Sequence, residues 1–444
     1  MKCLLLNSPI YRDRSDAIED YLPPLGLGYI ATHLNDSGIN AEIIDCVKER
    51  YGVNEIFDLL SRQMPEFIGI NIFTQNYDTV KEIIENCPIS ATIIIGGQVV
   101  KFIYNEILGW SVQNSLIIVI GEGELLLPAI INGNFVEAPI FEDENKRVFK
   151  VDMNSSYFPG DLSGVHLNRS VLKDDVVINH YGEKETSIIT SRGCMYNCAF
   201  CGGAHNLNKD ATIRYRTTAD VTKEIADILS ANTDITSIRI LDDLFLRNKK
   251  SISNAVQIFE QFPTLSWRGM AHVLTFIESI EALPRLRESG CRELFLGIES
   301  GSERIRKKIN KPGTISQIEK VVYALLHTGI DVKGYFMFGF PTETDTEAND
   351  TYKLASRLCE IARNEKGRLR FSVFQFRPYH GTQLYNEIIQ SGQTISAIKS
   401  NEALNVVNRR SQFNFQSGNY SRIGDQALVD FILKTQNLTE VPHD

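Results

Sequence analysis

The chain has 444 residues, of which 43% are hydrophobic and 23% are charged, and its net charge at pH 7 is −9. This composition is typical of a globular protein of two or three domains, and the negative charge argues against general affinity for nucleic acid or anionic membranes. The most apolar stretch, residues 116–131, is too short to span a bilayer. No basic start with an apolar run opens the chain, and eight cysteines are too sparse for a disulfide framework, so we expect a cytoplasmic protein.

The first 131 residues alternate short apolar runs with amphipathic segments. This alternation predicts a Rossmann-like, doubly wound parallel sheet that binds ligands beyond the carboxyl ends of its strands. The predicted strands are 3–7, 41–45, 67–71, 92–96 and 116–121, and the predicted helices are 25–37, 53–62, 76–86 and 101–108, with one more after Gly123.

The carboxyl ends of these predicted strands are rich in glycine and small polar residues. A nucleotide-like cofactor tail on these loops is one interpretation, and tight strand-to-helix turns that need glycine are the other. No G-x-G-x-x-G follows the first strand, so a dinucleotide fingerprint is absent. The candidate cofactor-binding residues here are Asn7, Thr74, Gly96, Gly97, Gln98, Gly121, Glu122 and Gly123.

Residues 132–185 are less periodic and predict an interdomain linker with little regular structure. Over 186–390 the alternation resumes, and six strand–helix units predict a partial (β/α)6 barrel of the TIM type, with its chemistry at the carboxyl ends of the strands. Residues 391–444 form a small C-terminal segment. The predicted barrel strands are 187–191, 236–241, 265–271, 293–298, 332–338 and 370–376, and the predicted helices are 217–230, 249–261, 275–288, 314–328 and 344–363.

Three cysteines lie close together right after the first predicted barrel strand. In "SRGCMYNCAFCGG", residues 191–203, Cys194, Cys198 and Cys201 have the spacing C-x3-C-x2-C. Three free thiols, a zinc site completed by His205, and an iron–sulfur cluster are the alternatives. A four-iron cluster on three thiolates leaves one iron open, which suits chemistry better than electron carriage alone.

A C-x3-C-x2-C loop at this place in a βα barrel resembles the radical S-adenosylmethionine superfamily. Other stretches resemble the subgroup of this superfamily that has an N-terminal cobalamin-binding domain. They are "GINIFTQN", "IIIGGQ" and "IGEGE" in the first 131 residues, and "ILDDLF", "LGIESGSERIRKKINK", "GIDVKGYFMFGFPTET" and "HGTQLYNEI" in the barrel.

The resemblance implies that Cys194, Cys198 and Cys201 hold a [4Fe–4S] cluster, whose fourth iron binds S-adenosylmethionine. Reductive cleavage of this cofactor would release a 5′-deoxyadenosyl radical that attacks an unactivated C–H bond, shielded from water inside the barrel. The N-terminal domain would bind cobalamin. No Asp-x-His-x-x-Gly occurs in that domain, so it supplies no histidine to cobalt by that motif.

Further roles follow from position in the resembling motifs. Gly202 and Gly203 would let the backbone approach the methionine part of the cofactor. Asp242 would bind the cofactor through its cationic amine, and Asp243 is a candidate catalytic residue. A helix N-cap is the alternative role for both carboxylates.

Two later strand ends carry the remaining candidates. Glu299 and Ser300 would contact the ribose or the amino group of the cofactor, with a helix cap as the alternative. His272 stands where the subgroup often has an arginine, and it is the second candidate catalytic residue. It would contact the cofactor carboxylate, donate a proton, or be an ordinary core histidine.

The resemblance implies an enzyme, and cobalamin-dependent methyl transfer is the leading function. The first alternative is a radical enzyme with an empty B12-like domain that performs a rearrangement, a cyclisation, an oxidation or the transfer of another cofactor-derived group. The second is an iron–sulfur electron-transfer or binding protein. We expect a small-molecule or peptide substrate and an external electron donor such as flavodoxin or ferredoxin, and no motif identifies the substrate.

Overall fold

A computed structural model describes residues 1–13, 22–395, 399–400, 415–416 and 418–439. The chain forms two compact units, made mainly of residues 1–175 and of residues 176–444. Two short segments, residues 208–212 and 379–381, belong to the first unit although they lie within the sequence of the second. In the part of the chain that is described, every helix is too short or too polar to cross a membrane.

The first unit contains a seven-stranded sheet with the strand order β2-β1-β3-β4-β5-β7-β6. All neighbouring strands are parallel except β6, which is antiparallel to β7. The doubly wound sheet predicted from the sequence is therefore confirmed. The strands are β1 (Lys2–Asn7), β2 (Asn40–Asp45), β3 (Phe67–Asn71), β4 (Thr92–Gly96), β5 (Ser115–Ile120), β6 (Phe141–Glu142) and β7 (Lys146–Lys150).

Helices cover this sheet because each has one apolar stripe. Helix α4, for example, buries Val100, Ile103 and Ile107, which are spaced three and four residues apart and so share one helix face. They join one core with the isoleucines of β4 and β5. The helices of the first unit are α1 (Leu25–Asp36), α2 (Val53–Gln63), α3 (Tyr77–Glu85), α4 (Val100–Leu108) and α5 (Leu126–Ile131).

The segment 132–185, which the sequence predicts to have little regular structure, contains two strands that extend the first sheet. Strand β7 pairs in parallel with β5, and the short β6 folds back on it. The charged run 142–147 makes the turn between β6 and β7, and only Val148 and Phe149 of β7 are buried. Two apolar residues next to a charged run are too weak a pattern for a strand prediction.

The second unit contains another seven-stranded sheet, with the order β16-β15-β14-β13-β12-β9-β8. Its six parallel strands follow one another in chain order, as in a half-barrel, and the edge strand β8 is antiparallel. The predicted partial barrel of six βα units is confirmed. The strands are β8 (Val177–Ile178), β9 (Lys184–Ile188), β12 (Ser237–Ile240), β13 (Ser266–Ala271), β14 (Cys291–Glu299), β15 (Asp331–Phe338) and β16 (Leu369–Gln375).

Helices follow the barrel strands at the predicted places. The predicted helix 275–288 is interrupted and forms two short helices, α8 and α9. In the C-terminal segment α14 packs on β16, while residues 401–414 lie outside the described part of the chain. The helices are α6 (Thr218–Ala231), α7 (Lys249–Phe259), α8 (Leu274–Ile277), α9 (Leu283–Glu288), α10 (Glu303–Lys308), α11 (Ile315–Thr328), α12 (Asp345–Ala362), α13 (Gln383–Gln390) and α14 (Asp425–Gln436).

Two short antiparallel ribbons complete the second unit. Strand β10 (Ser191–Arg192) pairs with β11 (Arg214–Tyr215), and the cysteine loop lies between these two strands in sequence. Strand β17 (Lys399–Ser400) pairs with β18 (Phe415–Gln416).

A buried ionic network joins the barrel strands near their amino ends. Arg268 Nε donates to Glu185 Oε2 at 2.8 Å, and its Nη1 donates to Glu293 Oε2 at 3.1 Å. Arg370 Nη2 donates to the same Glu293 oxygen at 2.6 Å. All four side chains are buried, so each charge depends on the others for compensation.

Replacing Arg268 with methionine should lower the free energy of unfolding by about 3–5 kcal/mol, because it removes the partner of the buried Glu185 carboxylate. Equilibrium urea unfolding measures this loss. Arg285→Met is the matched control, because Arg285 is exposed and pairs with Glu260 at 3.2 Å; it should cost at most about 1 kcal/mol. Small and equal losses in both variants would contradict a stabilising role for the network.

Candidate active site

The cysteine loop is held from two sides within the second unit. Ala199, between the second and third cysteines, is buried, and its N–H donates to the carbonyl oxygen of Ile309 at 2.9 Å. Its own carbonyl oxygen accepts from Leu384 N at 3.0 Å. The loop therefore has a fixed conformation between the end of α10 and the start of α13.

The three cysteines are free thiols in a partly buried environment. Burial raises the pKa of Cys194 and Cys198, and it raises the pKa of Cys201 to about 12, so binding of iron would displace the thiol protons. Among the described residues no three His, Cys, Asp or Glu side chains are placed to hold a single metal ion. The three free thiols lie on one ordered loop, and thiolates are the ligands that iron–sulfur clusters use.

Asp242 fixes the start of this loop. Its Oδ1 accepts from Thr190 N, and its Oδ2 accepts from the hydroxyl groups of Thr190 and Ser191, each at 2.6 Å. The carboxylate is buried, so both oxygens serve the chain itself. These contacts favour a structural role, and the contact of Asp242 with a cofactor stays a prediction.

Asp243 differs from its neighbour because it is exposed and lies over the cysteine loop. Its Oδ2 accepts from Gly193 N at 3.1 Å. Its Oδ1 lies 3.5 Å from the position that a Cβ atom would take at Gly203, and Cys201 Sγ lies 3.7 Å from that position. The predicted residues Gly202, Gly203 and Asp243 are thus brought together around the third cysteine.

Glu299 and Lys311 form a buried ion pair at the carboxyl end of β14. Lys311 Nζ lies 3.0 Å from Glu299 Oε1, and both side chains are 9% exposed. The pair lies over Gly297, where a Cβ atom would come within 2.5 Å of both charged groups. Glu299 has a φ of 65°, a strained backbone conformation for a residue other than glycine, and such strain is concentrated at functional sites.

The ammonium group of Lys311 stays charged in this setting. Burial by itself acts to lower the pKa of Lys311, but the negative charges of Glu299 and Cys198 outweigh it, so the pKa is raised. A permanent cation therefore lies in the electrostatic range of the cysteine loop.

Arg306 holds the turn that follows Lys311 against the end of β14. Its guanidinium donates to the carbonyl oxygens of Ile298, Pro312 and Gly313 at 2.5, 3.0 and 3.0 Å.

Ser300, the neighbour of Glu299, contacts α12 and not the Glu299–Lys311 pair, since its hydroxyl lies 3.1 Å from Thr351 Oγ1. The contact of Ser300 with a cofactor stays a prediction, and its geometry favours a structural role.

His272 stacks on the cysteine loop. Its ring centroid lies 4.1 Å from that of Tyr196, which stands between the first two cysteines. Burial, and then the charges of Lys311 and Arg306, lower the pKa of His272 to about 3, so the imidazole is neutral at pH 7. Nδ1 accepts from Leu274 N at 3.1 Å, which places the proton on Nε2. Nε2 is buried without a partner among the described residues, so its N–H is available to a ligand.

In the first unit, small polar side chains connect the carboxyl ends of three strands. Asn7 Nδ2 donates to Asp45 Oδ1 at 2.8 Å, and Asn71 Nδ2 donates to Asn7 Oδ1 at 3.1 Å. Thr74, in the next loop, has its Oγ1 3.0 Å from Nδ1 of His380, a residue that the sequence places 306 positions away. Asn7 and Thr74 thus also bind the chain itself, and their cofactor contacts stay predictions.

The glycines at this edge differ in how much room a side chain would have in their place. Gly97 has a φ of 130°, and a Cβ atom there would lie 2.3 Å from the carbonyl oxygen of Ile72. Gly121 has a φ of 100° and would place a Cβ atom 2.1 Å from the carbonyl oxygen of Val151. Both glycines are therefore required by neighbouring backbone.

Gly96 is the exception, because the nearest atom to its Cβ position is a backbone oxygen at 4.0 Å. A side chain at Gly96 would enter open space at the carboxyl edge of the sheet. Gln98 is exposed next to it. In the last loop Glu122 is half-buried, and a Cβ atom at Gly123 would lie 2.9 Å from Cδ1 of Leu127 in the helix α5 that follows.

Sequence reasoning missed two residues of the second unit, Lys311 and Arg306. Both lie inside the stretch "LGIESGSERIRKKINK", which holds five lysines and arginines. The motif indicates this segment as functional. Residue spacing alone, however, does not show which of its lysines and arginines lies next to the carboxyl end of β14. The positive φ of Glu299 and the turn after α10 bring Lys311 next to Glu299.

Comparison with known proteins identifies both units. Residues 188–355 match the Radical SAM superfamily, and residues 12–131 match the B12 binding domain. An uncharacterized methyltransferase of Pyrococcus horikoshii is 28% identical over 88% of this chain and 83% of its own length. The cytidylyl-2-hydroxyethylphosphonate methyltransferase of Streptomyces wedmorensis is 25% identical over 88% of this chain and 82% of its own.

A solved structure agrees with the fold. The radical S-adenosylmethionine methyltransferase TsrM of Kitasatospora setae, solved with tryptophan and an analogue of S-adenosylmethionine, superposes with a TM-score of 0.63 at 19% identity. The match covers 90% of this chain and 78% of TsrM, and at this identity it bears on the fold alone. The two matched domains confirm the predicted resemblance and the class of cofactors that it implies. The chain is a radical S-adenosylmethionine enzyme with an N-terminal B12-binding domain.

Proposed function

We propose that this enzyme is a cobalamin-dependent methyltransferase that uses radical chemistry on a small-molecule or peptide substrate. The observation that carries the proposal is the buried Glu299–Lys311 pair beside the three-cysteine loop, in a chain that also has a B12-binding domain. The similarity to two methyltransferases along most of the chain supports methyl transfer over other radical reactions.

The charged pair matches the chemistry of the cofactor. S-adenosylmethionine carries an ammonium and a carboxylate on one carbon atom, and Glu299 and Lys311 offer the two opposite charges side by side. In our proposal Glu299 accepts from the ammonium group and Lys311 donates to the carboxylate. Because both groups are buried, a ligand that satisfies them gains more than it would at an exposed site.

His272 and the cysteines supply the other functions in this proposal. The neutral imidazole of His272 donates a hydrogen bond from Nε2 to the bound cofactor and takes no part as an acid at pH 7. When bound, the cluster supplies the electron that cleaves S-adenosylmethionine, and cobalamin supplies a methyl carrier. The surrounding strands exclude water from the radical.

The cluster is tested by removing its three cysteines together. Cys194→Ala, Cys198→Ala and Cys201→Ala in one chain should abolish assembly, because no described group replaces the lost thiolates. Anaerobic reconstitution followed by iron and sulfide analysis measures this, with about four of each expected in the unsubstituted protein. A Cys291→Ala, Cys359→Ala chain is the control and should keep its iron. Tightly bound zinc without sulfide would contradict the proposal.

The charged pair is tested by removing one charge at a time. Glu299→Gln and Lys311→Met should each weaken S-adenosylmethionine binding by about tenfold or more, since each loses a hydrogen bond to a charged group. Equilibrium titration of the reconstituted protein measures the Kd, and iron content shows whether the cluster persists. Lys308→Met is the matched control, because Lys308 lies in the same motif but pairs with Glu387 at 3.0 Å. Unchanged affinity in both variants, with intact clusters, would overturn these roles.

The B12-binding domain is tested at Gly96, where a side chain has room. Gly96→Leu should reduce hydroxocobalamin uptake by at least about tenfold, because the leucine occupies space at the carboxyl edge of the sheet. Absorbance of the bound corrinoid after gel filtration measures uptake. Asn40→Leu, at the exposed opposite edge of this sheet, should bind like the unsubstituted protein.

The same variants separate methyl transfer from the alternatives. With S-adenosylmethionine and a strong reductant, a methyltransferase should give both S-adenosylhomocysteine and 5′-deoxyadenosine. Gly96→Leu should lose the first product and keep the second. Formation of 5′-deoxyadenosine alone by unsubstituted protein that fails to take up cobalamin would favour a radical enzyme with an empty B12-like domain.

A further inference from the structure

Asp45, the last residue of β2 in the first unit, has one carboxylate oxygen that the described chain leaves without a hydrogen bond. Its Oδ1 accepts from Asn7 Nδ2 at 2.8 Å and from Lys48 N at 3.1 Å. The ammonium group of Lys48 pairs with Asp174 at 3.1 Å. Oδ2 of Asp45 is buried and accepts no hydrogen bond from the described residues. Since a buried acceptor without a donor is costly, a donor from outside the chain is expected at this oxygen.

The Asp45 carboxylate is the end of a hydrogen-bonded row that joins three strand ends. Ser8 N donates to Asn71 Oδ1 at 2.8 Å, and Asn71 Nδ2 donates to Asn7 Oδ1 at 3.1 Å. Asn7 Nδ2 then donates to Asp45 Oδ1. The row fixes the orientation of the carboxylate from the side of β1 and leaves Oδ2 as the acceptor at its end.

This row lies where a sheet of this strand order binds ligands. The first five strands have the order β2-β1-β3-β4-β5, and their connections change direction between β1 and β3. Ligands of such sheets bind beyond the carboxyl ends of the strands at this switch point, and in dinucleotide-binding folds an acidic residue further along the chain accepts from a ribose hydroxyl. Asn7 and Asn71 end the two strands at the switch point, and Asp45 ends the strand next to them.

A cavity of about 250 Å³ borders Asp45. Ile43, Leu59 and Leu172 contribute apolar side chains to its lining, and Tyr51 contributes an aromatic ring. Pockets for whole drug-sized ligands have about 300–1,000 Å³, so this cavity is of a size for one arm of a large cofactor. A carboxylate acceptor beside an apolar cavity suits an arm that carries both hydroxyl groups and a heterocyclic base.

We propose that Asp45 binds the nucleotide tail of cobalamin, with Oδ2 accepting a hydrogen bond from a ribose hydroxyl, so that the first unit selects corrinoids that carry this tail. The tail is the part of cobalamin that contains a ribose and a base, and the base suits the apolar lining of the cavity. The inference rests on the proposed function, because it requires that the first unit binds cobalamin.

The test compares two corrinoids that differ in this tail. Hydroxocobalamin carries the nucleotide, and aquacobinamide lacks it. Equilibrium dialysis of the purified full chain should give a Kd for hydroxocobalamin at least about tenfold lower than the Kd for aquacobinamide, since only the first can supply the missing donor.

Asp45→Asn removes the acceptor and leaves the row in place. The amide oxygen can still accept from Asn7 and Lys48, whereas an NH2 group replaces Oδ2. The substitution should raise the Kd for hydroxocobalamin by about tenfold or more and keep the Kd for aquacobinamide within about threefold, because the lost hydrogen bond involves a charged group.

Asp58→Asn is the matched control, because Asp58 is an exposed residue of α2 that does not line the cavity. It should leave both Kd values unchanged. Equal affinity of the unsubstituted protein for the two corrinoids would overturn the inference, and so would an equal loss for both in Asp45→Asn. An unchanged preference in Asp45→Asn would also overturn it, and is the result expected if Oδ2 binds only water.

If Asp45→Asn does not fold, Asp45→Ser decides. Its hydroxyl oxygen can accept from Asn7, but it has no second oxygen, so an unchanged preference for hydroxocobalamin would refute the inference. If the unsubstituted protein assembles its cluster and takes up neither corrinoid, the proposed function fails and the inference with it. Uptake of both corrinoids with a preference that does not depend on Asp45 refutes only the role of Asp45.

Discussion

The ion pair between Glu299 and Lys311 is the interaction on which the site in the second unit depends. Two opposite charges lie buried at the end of an apolar strand, where either one alone would be too costly to keep. The pair needs the missing side chain of Gly297, the strained backbone of Glu299 and the turn that Arg306 holds. The segment that follows β14 is thus built around keeping two charges together near the cysteine loop.

The two ends of the barrel strands handle buried charge in different ways. At the amino ends Arg268 and Arg370 pair with the carboxylates of Glu185 and Glu293, and these buried opposite charges stabilise the fold together. Near the carboxyl ends His272 and Arg247 retain buried N–H groups without a partner in the described chain. The N–H of His272 differs from the amino-end network in its position, because the ring stacks on the cysteine loop, where the proposed ligand would accept its hydrogen bond.

The first unit shows that close backbone packing alone accounts for two of the three glycines at the carboxyl edge of its sheet. Gly97 and Gly121 are needed by the backbone of neighbouring loops, which explains them without any ligand. Gly96 has open space at its Cβ position, so neighbouring chain does not explain why this residue is a glycine. A glycine-rich loop therefore does not by itself say which of its glycines leaves room for a cofactor.

The sequence by itself determined the parallel strands β1 to β5 of the first sheet, the six parallel strands of the second and the three clustered cysteines, because these follow from local periodicity and from a short motif. It did not reveal β6, β7 and β8, whose short or charged stretches carry no strand pattern. Tertiary structure decided which polar groups turn inward. In the folded chain Asp242 hydrogen-bonds Thr190, and Ser300 hydrogen-bonds Thr351. Lys311 pairs with Glu299 at the end of β14, and His380 contacts Thr74. Spacing along a chain cannot reveal such contacts, because they depend on backbone turns and on the charges that burial forces together.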